Sequence, residues 1–343
     1  MKYVGLDLHK RRIFATVLDG DGAIIARNTI GTSSNDIYYY LNKIKKEDDM
    51  SVAMEASYNW QYAYRIVESV TDNIVLAHPL KTRIIGEAKI KTDKIDSYVL
   101  AYMLKSDMLP KAYVPTKLAM ENKILLRSRI SLVRLRTSIK NRIHAIIDKN
   151  KDCYSGLDSV TDIFGKIGTA ILKNTTIASI DYRVLCQYLA LIEDINSKIS
   201  VLEKIISDRI AKDPDIEILK TIPGMGTITA FILKSEIDSI DRFASKEKLC
   251  SYAGLIPSTH QSGDKSYNGR ITKQGNKFIR WALTEAAQIA IRHSGYFSYY
   301  YNKVKPKSGA NSATVSVARR MLEIIYVLLK EKREYIERPV NFI

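Results

Sequence analysis

Four acids in the first hundred residues have the spacing to build one acidic pocket. Asp7 closes an apolar segment, residues 3–8. Glu55 stands in a second, Val52-Ala53-Met54-Glu55-Ala56, where packing gives no reason for a charge. Asp93 and Asp96 lie three residues apart in a helical segment and so share a face. Carboxylates gathered from neighbouring strands and one helix face repel one another unless they are protonated or hold hard cations. Two Mg²⁺ ions bound this way stabilise both the attacking and the leaving oxygen of phosphoryl transfer. The spacing also admits a plainer reading, with Asp7 as a turn residue and Asp93 and Asp96 as first-turn acids that favour the helix dipole.

A second set of chemical groups lies in the last third of the chain. Residues 254–280 form a polar, Gly- and Ser-rich stretch with Ser262-Gly263 near its middle and Lys265, Arg270 and Lys273 beside it. A serine hydroxyl is a poor nucleophile until a base, a metal or a cationic site activates it, and by composition alone Ser262 is a loop serine. Ile222-Pro223-Gly224-Met225-Gly226 reads as a helix-hairpin-helix turn. Its glycines let the backbone approach closely, and amides at a helix start can hold a phosphate; a simple helix-connecting turn fits equally well. His9, His78, His144, His260 and His293 show no ligand spacing, and the three cysteines, Cys153, Cys186 and Cys250, form no CxxC pair. The cysteines read as small buried residues.

Charge points to the partner. The 343 residues carry 53 Lys and Arg against 37 Asp and Glu, a net of +16. A surplus of that size calls for a polyanion, nucleic acid before a membrane surface. No apolar run is long enough to span a bilayer, and Asp7 falls where a signal peptide needs apolar residues, so the expected location is the cytoplasm. The surplus is uneven: residues 1–110 are net +1, 111–150 net +8, 151–212 neutral and 213–343 net +7. Lys123, Arg127, Arg129, Arg134, Arg136, Lys140 and Arg142 follow one another on a single helical stretch and read as a phosphate-contacting face. Tyr38-Tyr39-Tyr40 and Tyr299-Tyr300-Tyr301 could stack bases, although core packing suits most tyrosines.

The elements that must position these groups follow from periodicity and turn signals. Strands are expected at residues 3–8, 13–18, 23–30, 51–56 and 73–77, with Asp19-Gly20-Asp21-Gly22 as a hairpin turn. Helices are expected from Asn35 or Asp36 to about 46, at 60–70 and at 91–104, entered through Thr92. Three strands followed by βαβ units predict a mixed sheet flanked by helices. One long helix is expected over 116–149, with Leu118, Leu125, Leu132, Ile139 and Ile146 at heptad spacing. A second heptad run has Leu185, Ile192, Ile199 and Ile206, with Tyr188, Ile195 and Leu202 three residues after the first three. The two runs could pair within the chain or between chains. Helices at 216–221, 227–234, 243–252, 278–293 and 312–330 complete the chain, with a loop or short hairpin over 253–276.

Together these motifs resemble the DEDD transposases of insertion sequences, the family named after insertion sequence one-ten. The resemblance rests on Tyr3-Val4-Gly5-Leu6-Asp7-Leu8-His9-Lys10, Met54-Glu55-Ala56, Lys91-Thr92-Asp93-Lys94-Ile95-Asp96-Ser97, the Ile222–Gly226 turn, Gly254-Leu255-Ile256-Pro257, Ser262-Gly263 and residues 269–276, in that order, to about residue 330. It implies an α/β plus all-α chain: a RuvC-like, RNase H-fold catalytic domain over 1–110, a coiled-coil helical spacer over 111–212, and a small helical transposase domain over 213–343. It implies Asp7, Glu55, Asp93 and Asp96 as catalytic metal ligands for Mg²⁺, two per site, and a serine nucleophile placed at Ser262, with Ser258 and Ser266 as the fallback choices. The implied partners are donor and target DNA, a structured guide (bridge) RNA, and further copies of the chain, as homodimers joining into a tetramer with composite sites. The nucleic-acid contacts expected are Arg127, Arg129, Arg134, Arg136, Lys140, Arg142, Gly224, Gly226, Lys265, Arg270 and Lys273. The rival expectations are a junction-resolving nuclease that hydrolyses with water, and a nucleic-acid-binding protein with a dead site.

Overall fold

The computed structural model describes residues 1–337 except 47, 58, 80, 83–92, 155, 176, 212, 263 and 264; for 93, 94, 259–262, 265–268 and 270 it describes the main chain alone. Contacts divide the chain into two compact units, Met1–Val114 and Pro115–Ile343.

The first unit is a mixed sheet with helices on both faces. Its elements are β1 (Lys2–Leu8), β2 (Ile13–Leu18), β3 (Ile24–Ile30), α1 (Ser34–Lys45), β4 (Met50–Glu55), α2 (Trp60–Glu68), β5 (Ile74–Ala77) and α3 (Asp93–Lys105). Strand order is β3-β2-β1-β4-β5. β1, β2 and β3 run antiparallel, and β4 and β5 run parallel to β1. The Asp19–Gly22 turn forms as expected, with Asp19 Oδ1 accepting from the amides of Asp21, Gly22 and Ala23. Alternation sorts the strands into two faces. Val4, Leu6, Leu8, Ala15, Val17, Val52 and Met54 pack on Ile37 and Leu41 of α1 and Ala63 and Val67 of α2. On the other face Ala53 and Ala77 pack on Leu100 and Met103 of α3. The cap of α1 differs from the expected Asn35 or Asp36: Ser33 takes the position, its Oγ accepting from the Asp36 amide while Asp36 Oδ2 accepts from Ser33 Oγ. Asp36 thus sits three residues inside the helix, the acid half of a reciprocal cap. The expected start of α3 at Lys91 and Thr92 lies outside the described residues.

The second unit is helical. α4 (Lys117–Lys149), α5 (Lys166–Lys173) and α6 (Ser179–Ile210) precede α7 (Pro214–Lys220), α8 (Thr227–Ile237), α9 (Lys246–Ala253), the hairpin β6 (Pro257–Ser262) and β7 (Lys265–Ile271), α10 (Lys277–His293), α11 (Gly295–Ser308) and α12 (Ala310–Glu331). α4 and α6 pack antiparallel within the chain: Arg129 meets Glu203, Arg136 meets Asn196 and Lys149 meets Asp181. The α6 heptads bury Leu185, Ile192, Ile199 and Ile206 as expected. The α4 heptads do so only in part: Ile139 is buried, and Leu125, Leu132 and Ile146 are half-buried against the two cores. Leu118 is 62% exposed, and the residues buried are Ala119, Asn122, Leu126, Ile130, Ile139, Ile143 and Ile147. The cause is a change of cover along the helix. Leu126 and Ile130 join the core of α7–α12, whereas Ile139, Ile143 and Ile147 join Leu172 of α5 and the middle of α6. No single seven-residue seam can serve both.

Two helices fall outside the expected set. α5 is short, and α11 buries only Phe297 and has Pro306 in its last turn. Ile216, Leu219, Phe231, Leu233, Leu283, Met321, Leu322 and Ile325, with Phe297 of α11, form the main core of the unit. Among the described residues no helix is long and apolar enough to cross a membrane.

Candidate active site

The geometry at the end of the sheet starts from Gly5. A Cβ at Gly5 would stand 2.0 Å from the Ser97 carbonyl oxygen and 2.7 Å from the Ala101 amide. The missing side chain lets α3 lie directly on β1. Ser97 Oγ is 2.9 Å from Thr16 Oγ1, a buried pair on the strand beside Gly5. Further along α3, Lys105 Nζ donates to the Asp21 carbonyl in the β2–β3 turn. The helix therefore runs against β1, and its first turn stands at the end where β1 and β4 finish.

That end holds the acids. β1 and β4 are parallel, with Gly5 opposite Ala53 and Leu6 opposite Met54, so Asp7 and Glu55 are the next residues on each strand. Asp7 is on the same face as Gly5, and Glu55 on the same face as Ala53: the face that α3 covers. Asp7 is 8% exposed and Asp96 and Glu55 are half-buried. Asp96 lies in the first turn of α3, one residue before Ser97. Asp93 is the first residue of α3, and its side chain lies outside those described. The chain thus crosses the sheet from the β3 edge to β4, which makes the carboxyl ends of β1 and β4 a switch point, the usual position of a ligand crevice.

One partner of this site was not expected. His9 Nε2 lies 2.9 Å from Asp7 Oδ2, and the ring stands edge-on to Phe14, the residue opposite Asp7 on β2. Spacing gave no ligand pattern for His9, but its place two residues after Asp7, on the same side of the chain, was a usable signal.

Carboxylate oxygens from two strand ends and one helix start are the donor types that a hard divalent cation takes, and one of them is already withdrawn from water. The set is not closed. Among the described residues no three His, Cys, Asp or Glu side chains stand together as a metal set.

In the second unit Ser262 ends β6, opposite Lys265 of β7; Gln261 faces Ser266 and His260 faces Tyr267. The side chains of Ser262, Lys265, Ser266 and Arg270, and all of Gly263, lie outside the described residues. Ser258 is described: its Oγ would stand 2.5 Å from a Cβ at Gly269, across the hairpin. The base of the hairpin is held firmly. A Cβ at Gly275 would collide with the Tyr252 carbonyl and the Gly254 amide. Asn276 caps α10 through Oδ1, and its Nδ2 donates to Glu236 Oε2 at 2.8 Å. Lys273, beside the hairpin, is exposed in the left-handed conformation, φ 53°.

The two glycines of the 222–226 turn do different things. Gly224 has φ 82°, and a Cβ there would stand 2.3 Å from the Ala286 carbonyl of α10. Its role is close packing. Gly226 precedes α8 with open space where its Cβ would be.

The basic helix is partly spent inside the unit. Arg127 reaches Glu236 at 3.1 Å and lies over Phe278; the Glu236 side chain is 3% exposed and also has Lys123 at 3.8 Å. Arg129 pairs with Glu203, Arg136 donates to Asn196 Oδ1, and Lys140 stands over Phe164. Arg134 and Arg142 are exposed. The cysteines also differ from expectation, since only Cys250 is buried and Cys153 is exposed. Burial pushes the Cys250 thiol up to about 12.

Comparison with known proteins adds the following. A family model described as transposase, for the DEDD transposases of IS110, matches residues 4–150. A second, described as the transposase IS116/IS110/IS902 family, matches residues 216–302. A probable family 20 transposase of Pseudomonas aeruginosa is 23% identical, over 98% of each chain. The transposase for insertion sequence element IS1111A of Coxiella burnetii is 23% identical, over 98% of this chain and 91% of its own. A pilin gene-inverting protein of Moraxella bovis is 30% identical over 35% of this chain and 38% of its own.

Proposed function

The chain belongs to the insertion-sequence transposases of the IS110 type, and from that premise we propose a DNA strand-transfer reaction that passes through a phosphoserine. It is a DNA-processing enzyme of transposition and recombination. The observation that carries the finer reading is the meeting of Asp7, Glu55 and the first turn of α3 on one face at one end of the sheet. The strand order β3-β2-β1-β4-β5, three antiparallel strands then two parallel, supports a RuvC-like, RNase H-type fold for the first unit. We take residues 1–110 as the catalytic domain, 111–212 as the helical spacer and 213–343 as the transposase domain.

Asp7, Glu55, Asp93 and Asp96 would hold divalent cations, Mg²⁺ by the resemblance and two per site. Bound there, such ions supply Lewis acidity at the scissile phosphate and lower the cost of a serine alkoxide. His9 orients the Asp7 carboxylate. The Ser262 hydroxyl attacks phosphorus, the Ser262 Oγ–P bond forms as the P–O bond to the leaving strand breaks, and the hydroxyl proton passes to solvent. The leaving strand departs as a free hydroxyl. Attack by a strand's hydroxyl on the phosphoserine reverses these changes, releases Ser262 and needs no ATP. Arg134, Arg142, Lys265, Arg270 and Lys273 contact phosphates, and a guide RNA selects donor and target DNA.

The test is a denaturing gel for a protein–DNA adduct, run with DNA carrying the element's ends, the element's transcript, and Mg²⁺ or EDTA. The expected result is a Mg²⁺-dependent adduct that Ser262→Ala and Asp7→Ala each abolish. Full recombination by Ser262→Ala, with Asp7→Ala dead, rejects the role of Ser262, and Ser258→Ala and Ser266→Ala then decide between the neighbours. Cleavage without any adduct identifies a hydrolytic nuclease instead. Binding that ignores Mg²⁺, with no cleavage, identifies a nucleic-acid-binding protein.

A further inference from the structure

Glu236 is a buried acid that the proposed chemistry does not use. It is the last residue but one of α8, and its side chain is 3% exposed. Oε1 accepts from Arg127 of α4 at 3.1 Å, and Oε2 accepts from Asn276 Nδ2 at 2.8 Å. Lys123 of α4 stands 3.8 Å from Oε2. Such a network is weak evidence for stability, because an apolar residue of similar size avoids the desolvation that buried charges incur. Its place beside the β6–β7 hairpin gives it another use.

Asn276 is the link to that hairpin. Its Oδ1 accepts from the Phe278 and Ile279 amides and so caps α10, and its own amide donates to the Tyr252 carbonyl at 2.7 Å. Tyr252 lies near the end of α9, ahead of the hairpin, and Asn276 follows it, so this bond closes the neck. On the same neck the Thr272 amide donates to the Ile256 carbonyl at 3.0 Å, and Arg280 Nη1 to the Ala253 carbonyl at 2.9 Å. Glu236 Oε2 fixes which way the Asn276 side chain faces. Turned over, Asn276 would present its NH2 group to the α10 amides, donor against donor, and the cap would be lost. The main-chain carbonyl of Glu236 accepts from Arg242, whose guanidinium lies over the Tyr252 ring, so the same residue bears on both sides of the neck.

Leverage makes this matter for chemistry. Ser262 is at the far end of the six-residue strand that starts at Pro257, about 17 Å from the neck. At that length a tilt of about 3° moves the Ser262 main chain by about 1 Å, and a displacement of that size in a reacting group costs on the order of 100-fold in rate. We infer, on the phosphoserine reading of Ser262, that Glu236 is a positioning residue for that serine: with Asn276 it sets the angle at which the hairpin leaves the helical core, and Arg127 and Lys123 hold it from α4.

The experiment reverses the direction of one hydrogen bond. Glu236 accepts on two sides, and glutamine has one acceptor oxygen for both, so Glu236→Gln leaves either Arg127 or Asn276 facing a donor. Asn276→Asp sets acceptor against acceptor. In the Glu236→Gln/Asn276→Asp double variant the glutamine NH2 donates to the new aspartate and its oxygen accepts from Arg127, while the aspartate caps α10 as well as asparagine does. Asn276→Ser keeps a cap with a side chain too short to reach Glu236, and serves where another single variant folds poorly.

Two readouts are taken on the full chain. Hydrogen–deuterium exchange over residues 254–276, without DNA, reports how firmly the neck holds. Adduct formation is then timed in single turnover with DNA carrying the element's ends, the element's transcript and Mg²⁺. Saturating DNA and a temperature well below the lowest melting midpoint keep affinity and unfolding out of the rate. Each single variant is expected to exchange about 10-fold faster at the neck and to form adduct about 10- to 100-fold more slowly than wild type. The double variant is expected to return to within about 3-fold of wild type in both. Single variants with wild-type adduct rates, or a folded double variant as slow as they are, overturn the positioning role. Exchange at the neck that no variant alters overturns it as well, whatever the adduct assay gives. A wild type that forms no adduct, or an adduct that survives Ser262→Ala, rejects the phosphoserine reading instead, and the exchange rates still decide whether Glu236 sets the hairpin.

Discussion

At the scale of single residues, burial and partners decide which charges are available. The Glu236 side chain is buried and held by Arg127, Lys123 and Asn276. Two cations that composition assigns to a phosphate surface are therefore tied to a carboxylate in their own unit. Asp215 shows the same economy. Burial alone would push its carboxyl up, but the Lys234 and Lys332 ammonium groups outweigh it and hold it below the usual carboxylate range. Its folded pKa lies below its unfolded one, so it stabilises the native state above about pH 4 and loses that contribution as pH falls through the lowered value. Asp215→Asn should reduce the melting temperature at pH 7 and remove part of the acid-induced fall, so that the two proteins converge toward pH 2. A constant gap between them across pH 2–7 would contradict the linkage. A thiol reagent at pH 7 should label Cys153 in the native protein and leave Cys250 unmodified until unfolding, since burial both hides that thiol and pushes it up to about 12.

At the scale of elements, three glycines separate packing from function. Gly5→Ala forces a methyl group into the backbone of α3, and Gly224→Ala forces one into α10 while also straining a φ of 82°. Each should cost about 2 kcal/mol or more, read as a lower midpoint in thermal or denaturant unfolding. Gly226→Ala meets nothing and should cost about 1 kcal/mol or less, the difference between Gly and Ala before a helix. If Gly226→Ala nevertheless weakens nucleic-acid binding, the backbone at that turn approaches the ligand. Gly5 was readable in advance, because an interior strand glycine marks a close backbone approach. What it approaches was not, since α3 lies some ninety residues away in the chain. The α4 heptads hold only in part for a related reason: periodicity reports that a face is covered, and α4 has two covers on different faces.

At the scale of the whole molecule, the net charge of +16 overstates the free surface. Of the basic residues assigned to phosphate contact on α4, Arg129 and Arg136 are pinned across to α6 and Arg127 to Glu236. Arg134 and Arg142 remain directed outward. Replacing both by alanine should lower the slope of log affinity against log salt by about 2, with a duplex DNA or structured RNA probe. Arg129→Ala should leave the slope nearly unchanged and instead loosen the α4–α6 hairpin. A slope unaltered by the first change would remove α4 from the nucleic-acid surface.

The sequence by itself determined the elements and the chemistry. Strand alternation and the Asp19–Gly22 turn gave the β-meander, the α6 heptads gave its buried seam, and an acid in an apolar strand marked Glu55. Those are local signals, carried by neighbours within a few residues. The tertiary structure decided what met what. It set Asp7 level with Glu55 through the parallel β1–β4 register and brought the first turn of α3 to the same end over Gly5. It paired α4 with α6 inside the chain, and it spent several cations on internal carboxylates. Contacts between residues distant in sequence depend on which faces pack together, and periodicity records only that a face is buried, not its partner.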